Sequence, residues 1–419
     1  MVTPFNFFIR KYPTLITFFA INRYNLEWEL REMNKKDIAA IRRQFKLDNE
    51  LMHIETIFNV YVQKESGDIY HHVSQPFELL DQEAQELFLV NFKKVLAGQL
   101  DTKLFELKFK KDVEESTQDI LFDGLQATEQ EEWQDYMLEI VEKMYAHNVY
   151  EFDTVVTFIT GEYRKPMKQR NPESGEGGTD QVYANKFILC SLNKTSLPKS
   201  SLVFDYIEKE FKPNSHVDPV INLTTPLTGF LFPTFTDNAA DVNHILYSAG
   251  KANELDERFI DDILNCEPIS TAIEDKDCFE LIVSNIAGEK INADVVSNIY
   301  EKIDDIIEIA KEDDDEEEPT LNYRDVEKIL TTSGIEGVKE DTVKEAFKTV
   351  IDDELHSFKA NNLIPTSIKI DTEIAKLSIK PQDLKNVKYI TYNGKRCLLL
   401  EIDEDVVIEG FQLESAPFS

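Results

Sequence analysis

The chain has 419 residues, of which 42% are hydrophobic, including 27 Phe and 15 Tyr. That length and composition predict about two or three domains, each with an apolar core. The 79 Asp and Glu outnumber the 45 Lys and Arg, and the resulting net charge of −34 at pH 7 disfavours general binding to nucleic acids or membrane surfaces.

The acidity has more than one explanation. It keeps a protein soluble, or it forms a surface for basic partners or a mimic of nucleic acid. No run of the sequence approaches the roughly 18 apolar residues of a membrane span. We therefore expect no membrane association, and a protein partner that no motif identifies.

The four cysteines are scattered along the chain without a C-x-x-C pair. Zinc ligands usually come in closely spaced pairs, so we expect reduced thiols, with a zinc site at Cys266, Cys278 and a remote His as the alternative. No cofactor and no metal ion are predicted. The cysteines are Cys190, Cys266, Cys278 and Cys397.

Residues 1–32 differ from the rest of the chain. They are rich in Phe, Ile and Leu, but Arg10 and Lys11 lie in the middle of the segment and no small-residue cleavage site follows, which argues against a signal peptide. Residues 27–29 (Glu-Trp-Glu) are encoded as GAR-TGG-GAR, which can spell the ribosome-binding core GGAG ahead of Met33. We expect residues 1–32 to be untranslated or disordered, with a short amphipathic anchor as the alternative.

Residues 33–110 are predicted to form an N-terminal α+β segment. Apolar spacing and caps predict helices and alternation predicts strands. The adjacent His71 and His72 point to opposite faces of a strand, which favours an edge strand over a metal site. The predicted helices are Lys35–Phe45 and Asp81–Ala97, and the predicted strands are His53–Gln63, Ile69–Val73 and Leu104–Phe109.

Residues 111–310 are predicted to form a central α+β core. A polar loop at residues 164–181 separates two strands that pair as a long hairpin, and its length predicts a mobile lid or docking loop. The predicted strands are Asp153–Thr160 and Val182–Leu192, and the helices are Glu129–Ala146, Asp256–Leu264 and Ala293–Ala310. The candidate binding residues in the loop are Arg164, Lys165, Lys168 and Arg170.

Residues 311–320 are predicted to be an acidic linker, because the adjacent carboxylates of residues 312–318 repel one another and stay solvated. Residues 321–419 then form a C-terminal α+β module closed by a small antiparallel sheet. Asn393-Gly394 predicts a type I′ turn, since both residues tolerate positive φ. The predicted helices are Asn322–Leu330 and Thr342–Ala360, and the strands are Ser367–Lys380, Val387–Tyr392, Arg396–Ile402 and Val406–Leu413.

The most unusual stretch is residues 229–244, which holds three Phe, a Pro and two Asp. It predicts an apolar strand that Pro233 ends, then a helix capped by Thr236 or Asp237. On that helix Asp237, Asp241 and His244 would share one face, a set that can hold a divalent metal or act as base and acid. The simpler alternative is that the carboxylates cap the helix and that His244 is a surface residue.

The same stretch carries a family resemblance. Residues 229–241, followed by Leu246 and Tyr247, resemble the signature GFLFPxFxDRxxDxxxxxY of bacterial proteins grouped as a domain of unknown function, DUF4317. Residues 33–43 resemble the start of that family, and residues 392–396 and 407–410 resemble its end. The resemblance implies a cytoplasmic protein of Gram-positive bacteria with no assigned activity. Asn238 stands where the family usually has Arg, so an anion contact there is not carried over.

Together these features predict a multi-domain α+β protein in which mixed or antiparallel sheets pack against helices. Two functions remain open. The first is a non-enzymatic interaction or regulatory protein that uses its acidic surface and the loop at residues 164–181. The alternative is a metal-dependent, hydrolase-like enzyme that uses Asp237, Asp241 and His244.

Overall fold

The computed structural model describes residues 32–146, 150–166, 182–198, 202–213, 218–236, 239–288, 291–312, 318–365, 367–403, 405–412 and 414. Within these ranges no helix is both long and apolar enough to cross a membrane. Helices and a large antiparallel sheet, with smaller antiparallel hairpins, confirm the α+β fold class.

The helices begin where the sequence supplies caps. Asn34, Asp81 and Asn322 each accept hydrogen bonds from the backbone at the start of the following helix. The helices are α1 Lys35–Arg42, α2 Gln82–Val95, α3 Thr117–Gln126, α4 Gln130–Tyr145, α5 Ala272–Ala287, α6 Ala293–Glu312, α7 Tyr323–Thr332, α8 Glu340–Ile351 and α9 Ala360–Leu363, with a π-helix at Phe259–Ile263 and 3₁₀ turns at Phe77–Leu79 and Pro381–Asn386.

The strands come in two groups, one before residue 249 and one after residue 319. The first group is β1 Met52–Val62, β2 Ile69–Pro76, β3 Leu104–Lys108, β4 Thr154–Pro166, β5 Val182–Ser196, β6 Leu202–Asp205, β7 Glu210–Pro213, β8 Val220–Ile221, β9 Thr228–Phe232, β10 Thr234–Thr236, β11 Ala239–Asp241 and β12 His244–Ser248. The second is β13 Thr320–Leu321, β14 Phe358–Lys359, β15 Ile368–Asp371, β16 Lys376–Ile379, β17 Val387–Tyr392, β18 Lys395–Leu400, β19 Val407–Ile408 and β20 Phe411–Gln412.

The main sheet has the strand order β2-β1-β4-β5-β9-β12-β3, with β8 beside the end of β5, and neighbouring strands run antiparallel. The β1–β2 hairpin and the long β4–β5 pair confirm two predictions from the alternating pattern. His71 and His72 lie on β2, the edge strand, as predicted. Residues 167–181 of the predicted basic loop lie outside the described residues.

Both faces of the main sheet are covered, which gives a helix–sheet–helix sandwich. Phe230 and Phe232 of β9 face a core shared with α3, α4 and the π-helix. Leu231, one residue out of phase, faces the opposite core with α1 and α2. A strand buried on both faces reads as a continuous apolar run, which explains the composition of residues 230–232.

A separate apolar core joins helices α5 to α9. Phe279 of α5 and Ile303 of α6 pack with Val326, Phe347 and Phe358, which follow the acidic run in sequence. Helix α6 extends to Glu312, so the predicted boundary at residues 311–320 falls inside the sequence of this core. The division of the chain into domains stays a prediction.

The C-terminal strands form hairpins rather than one sheet. The predicted helix Thr342–Ala360 is wrong beyond Ile351, because Asp352 adopts a left-handed conformation with φ 63° and ends α8. The predicted strand Ser367–Lys380 is two paired strands, β15 and β16, and β19–β20 replaces the last predicted strand. The turn at Asn393-Gly394 is confirmed, with φ angles of 48° and 75°.

The predicted helix after Pro233 is also wrong. Residues 234–236 and 239–241 are instead the paired strands β10 and β11, and His244 begins β12. Thr234 lies opposite Asp241 in this small hairpin. The helical i, i+4, i+7 stripe of Asp237, Asp241 and His244 therefore does not form, and Asp237 lies outside the described residues.

Candidate functional site

A tight turn between β11 and β12 brings two of the predicted site residues together. Asp241 Oδ1 accepts hydrogen bonds from the backbone N–H of Asn243 at 2.9 Å and from its side-chain amide at 3.0 Å. The other carboxylate oxygen, Oδ2, lies 2.7 Å from His244 Nδ1. An Asx-type turn and a side-chain pair thus replace the expected helical stripe.

A second carboxylate approaches this pair from the neighbouring strand. Glu106 of β3 lies opposite Leu246 in the register with β12, and its side chain is buried. Glu106 Oε2 accepts a hydrogen bond from the backbone N–H of Met33, just before α1. The sequence around Glu106 gives no sign of its role, because its neighbours in the chain carry no motif and only the pairing of β3 with β12 brings it near His244.

His244 shifts the pKa values of both carboxylates, and both carboxylates shift the pKa of His244. Burial raises the pKa of Asp241, but hydrogen bonds from His244 and Asn243 outweigh it and bring that pKa below 3.8. Burial lowers the pKa of His244, but the hydrogen bond to Asp241 and the charges of Asp241 and Glu106 raise it above 6.5. For Glu106 burial dominates and raises the pKa above 4.5, against the lowering effect of the Met33 N–H.

These shifts favour an imidazolium held between carboxylates. A metal ion needs a neutral imidazole, so a raised His244 pKa works against metal ligation. Among the residues that the structure describes, no group of three His, Cys, Asp or Glu side chains could hold a metal ion. While His244 is protonated, its hydrogen bond to Asp241 ties β11 to β12, and a metal ion would have to displace that proton before it could bind Nδ1.

The predicted basic loop residues are only partly within the described ranges. Arg164 is exposed on β4, and its Nη2 lies 3.5 Å from Glu162 Oε2. Lys165 follows on the same strand, opposite Tyr183 of β5. Lys168 and Arg170 lie outside the described residues. Their role in binding stays a prediction.

A surface cleft of about 600 Å³ lies elsewhere, between the end of β5 and the start of the π-helix. Its charges are balanced, and Lys251 and Glu254 already pair at 3.0 Å. The cleft therefore favours neither an anion nor a cation. Its charged lining residues are Lys194, Lys251, Arg258, Glu254, Asp256 and Glu257.

Residues 202–213 form an exposed apolar hairpin, β6–β7, which was not predicted from the sequence. The ring of Phe204 packs on those of Tyr206 and Phe211, with centroids 5.2 Å apart in both pairs. Apart from Asp205, which is partly buried, the whole hairpin is exposed to solvent. Its large exposed apolar residues are Leu202, Val203, Phe204, Tyr206, Ile207 and Phe211.

The Asp241–His244 pair predicts a specific pH dependence. A raised His244 pKa contributes stability that is complete below about pH 6.5 and is lost as the pH rises through the folded-state value. The raised pKa of Glu106 also makes the free energy of unfolding fall as the pH rises above about 4.5. The lowered pKa of Asp241 reduces the free energy of unfolding only as the pH falls below about 3.8. We expect the free energy of unfolding to fall as the pH rises above about 6.5, with a shallower fall in His244→Gln.

Urea unfolding at each pH measures this slope. His72→Gln on the exposed edge strand is the matched control and should keep the wild-type slope. Equal slopes in wild type and His244→Gln would show that the pair does not couple to folding.

Comparison with known proteins identifies one family. A family model described as Domain of unknown function (DUF4317) matches residues 33–411, which is most of the chain. No curated protein and no solved structure matches the chain. The match includes the main sheet, the β10–β11 hairpin and the helical core described above. The chain therefore belongs to the DUF4317 family.

Proposed function

We propose that this chain is a non-enzymatic cytoplasmic interaction protein that binds a basic protein partner through the β6–β7 hairpin. The observation that carries the proposal is the exposure of large apolar side chains on that hairpin. The exposed fractions are 73% for Leu202, 85% for Tyr206, 92% for Ile207 and 77% for Phe211. Contiguous apolar patches of this kind mark interaction sites, and aromatic residues are enriched at interface centres.

The charge of the chain selects the class of partner. A net charge of −34 repels nucleic acid, anionic lipid and a second copy of the same chain. On the hairpin, Lys212 already pairs with Asp205, so Glu208 and Glu210 outnumber the remaining Lys209. A partner with an apolar centre and a basic rim matches both features, because opposite charges at the rim steer association.

The test is a quantitative pull-down from the source cells with wild type and an Ile207→Ser, Phe211→Ser double variant. Truncating two side chains at the centre of an interface should weaken binding by about tenfold or more. The free energy of unfolding should hardly change, because both side chains are exposed. The matched control is Ile374→Ser with Tyr389→Ser, which are 97% and 63% exposed on other hairpins.

Recovery of a basic protein with wild type and with the control, but not with the hairpin variant, supports the proposal. Equal recovery with the hairpin variant contradicts it, and so does a second copy of this chain as the recovered partner.

A second candidate function rests on the Asp241–His244 contact of 2.7 Å, which brings two of the three proposed hydrolase residues together. Metal analysis tests it. A stoichiometric divalent ion that is lost in an Asp237→Ala, Asp241→Ala double variant would support the enzyme. Protein that carries no metal, and whose stability chelators leave unchanged, would remove this candidate.

A further inference from the structure

Both the side chain and the backbone nitrogen of Met33 are buried. The side chain is 3% exposed and packs in the core with Ile38, Ile41 and other residues beneath α1 and α2. Its backbone nitrogen donates to the buried Oε2 of Glu106. Asn34 then caps α1, so Met33 directly precedes a helix that packs in the same core.

Glu106 is a buried carboxylate. Burial raises its pKa, and the peptide N–H of Met33, the side chain of Thr234 and the charge of His244 lower it. A buried charge is costly unless it meets an opposite charge, and an amide supplies only a dipole. Glu32, which directly precedes Met33, adds a negative charge that also raises the pKa of Glu106. His244 contributes positive charge, but it already pairs with Asp241.

A free α-ammonium group at Met33 would resolve this imbalance. It would place a full positive charge where the peptide nitrogen now meets Glu106, and the carboxylate of Glu32 would be absent. Lys359, which contacts Glu32 at 2.7 Å, would retain Asp101 at 3.1 Å. A chain that starts at Met33 therefore gives Glu106 a charged partner and leaves Lys359 paired with Asp101.

We propose that translation of the native protein begins at Met33 and that Glu106 is the binding site for its free α-ammonium group. Two independent observations point to the same residue. The family match starts at residue 33, and the codons of residues 27–29 can spell a ribosome-binding core ahead of it. The inference goes beyond the proposed interaction function and does not depend on it.

The first test identifies the N-terminus of the native protein. Primary amines are labelled before digestion, and the labelled N-terminal peptide is found by mass spectrometry. We expect a peptide that starts Met33-Asn34-Lys35 with a free α-amine. A stop codon placed at Ile21 in the chromosomal gene should leave the amount of protein unchanged. A labelled peptide from before Met33, a blocked Met33, or loss of the protein with the stop codon would overturn the proposal.

The second test asks whether Glu106 holds the ammonium. The pKa of the Met33 α-amine is measured in native protein from the pH dependence of its acylation rate. We expect it to lie above the roughly 7.7–8.0 of an ordinary α-amine, and the acid dissociation constant to rise about tenfold or more in Glu106→Gln. Glu254→Gln, an exposed partner of Lys251, is the matched control and should show the wild-type value.

An ordinary or lowered α-amine pKa in the native protein would overturn the ion pair. The same conclusion follows if the α-amine of Met33 has the same pKa in Glu106→Gln and in wild type. If Glu106→Gln does not fold, the wild-type value alone decides.

Discussion

Replacing Gly229 with Ala should destabilise the protein by about 3 kcal/mol or more. An added Cβ would lie 2.4 Å from the backbone oxygen of Cys190 and 2.9 Å from Val95 Cγ1. The first contact is with the neighbouring strand β5, so relief would require moving the backbone of the main sheet. Urea unfolding of wild type and variant measures the loss.

Gly124→Ala is the control for this prediction. Its Cβ would lie 3.1 Å from Met137 Cε, the flexible end of a side chain, and 3.5 Å from Ile188 Cδ1. Gly124 lies in α3, where Ala is favoured over Gly by about 1 kcal/mol, so the variant should be near neutral. A Gly229→Ala variant as stable as Gly124→Ala would show that β5 and β9 are not packed as closely as described.

Replacing Phe358 with Ala should cost about 3–5 kcal/mol in the helical core. The ring is fully buried and contacts those of Phe279 at 5.9 Å, Phe347 at 5.5 Å and His356 at 4.8 Å, so it joins α5 to α8. Deleting it leaves a cavity between helices that precede and follow the acidic run. Hydrogen exchange localises the effect, with lost protection expected within residues 272–363.

Phe411→Ala is the matched control, because that ring is 75% exposed on the β19–β20 hairpin. It should change stability by less than about 0.5 kcal/mol. Unchanged exchange in Phe358→Ala would contradict a core shared across the acidic run.

Local sequence patterns correctly predicted several helices, hairpins and turns. Alternation predicted the β1–β2 hairpin, and the capped amphipathic pattern predicted α2 with Asp81 as its cap. The Asn393-Gly394 turn was predicted because its conformation depends on two adjacent residues. In each case the interactions that decide the structure lie close together in sequence.

The signature stretch was predicted correctly only up to Pro233. The following residues, Asp-Asn-Ala-Ala-Asp, favour a capped helix by local propensity. Pairing of β10 with β11 and of β12 with β3 and β9 overrides that preference, and these partners are remote in sequence. Asp241 and His244 are close together even though the helix does not form, because a tight turn also brings residues three apart into contact.

The β6–β7 hairpin could not be predicted as a surface. Its apolar residues resemble those of a buried strand, and only the structure shows that nothing covers them among the described residues. Glu106 is the opposite case, a charged residue in a buried strand whose importance depends on contacts with Met33 and His244. Burial and remote pairing are the two properties that the sequence does not carry locally.

Site-specific photo-crosslinking in the source cells tests the interaction function most directly. A photoreactive phenylalanine analogue replaces Phe211 on the β6–β7 hairpin, or Tyr389 on the β17–β18 hairpin as the control. We expect one adduct at position 211 with a basic protein, weakened by added salt because rim charges are screened, and none at position 389. No adduct at position 211, an adduct with a second copy of this chain, or the same adduct at both positions would contradict the proposed function.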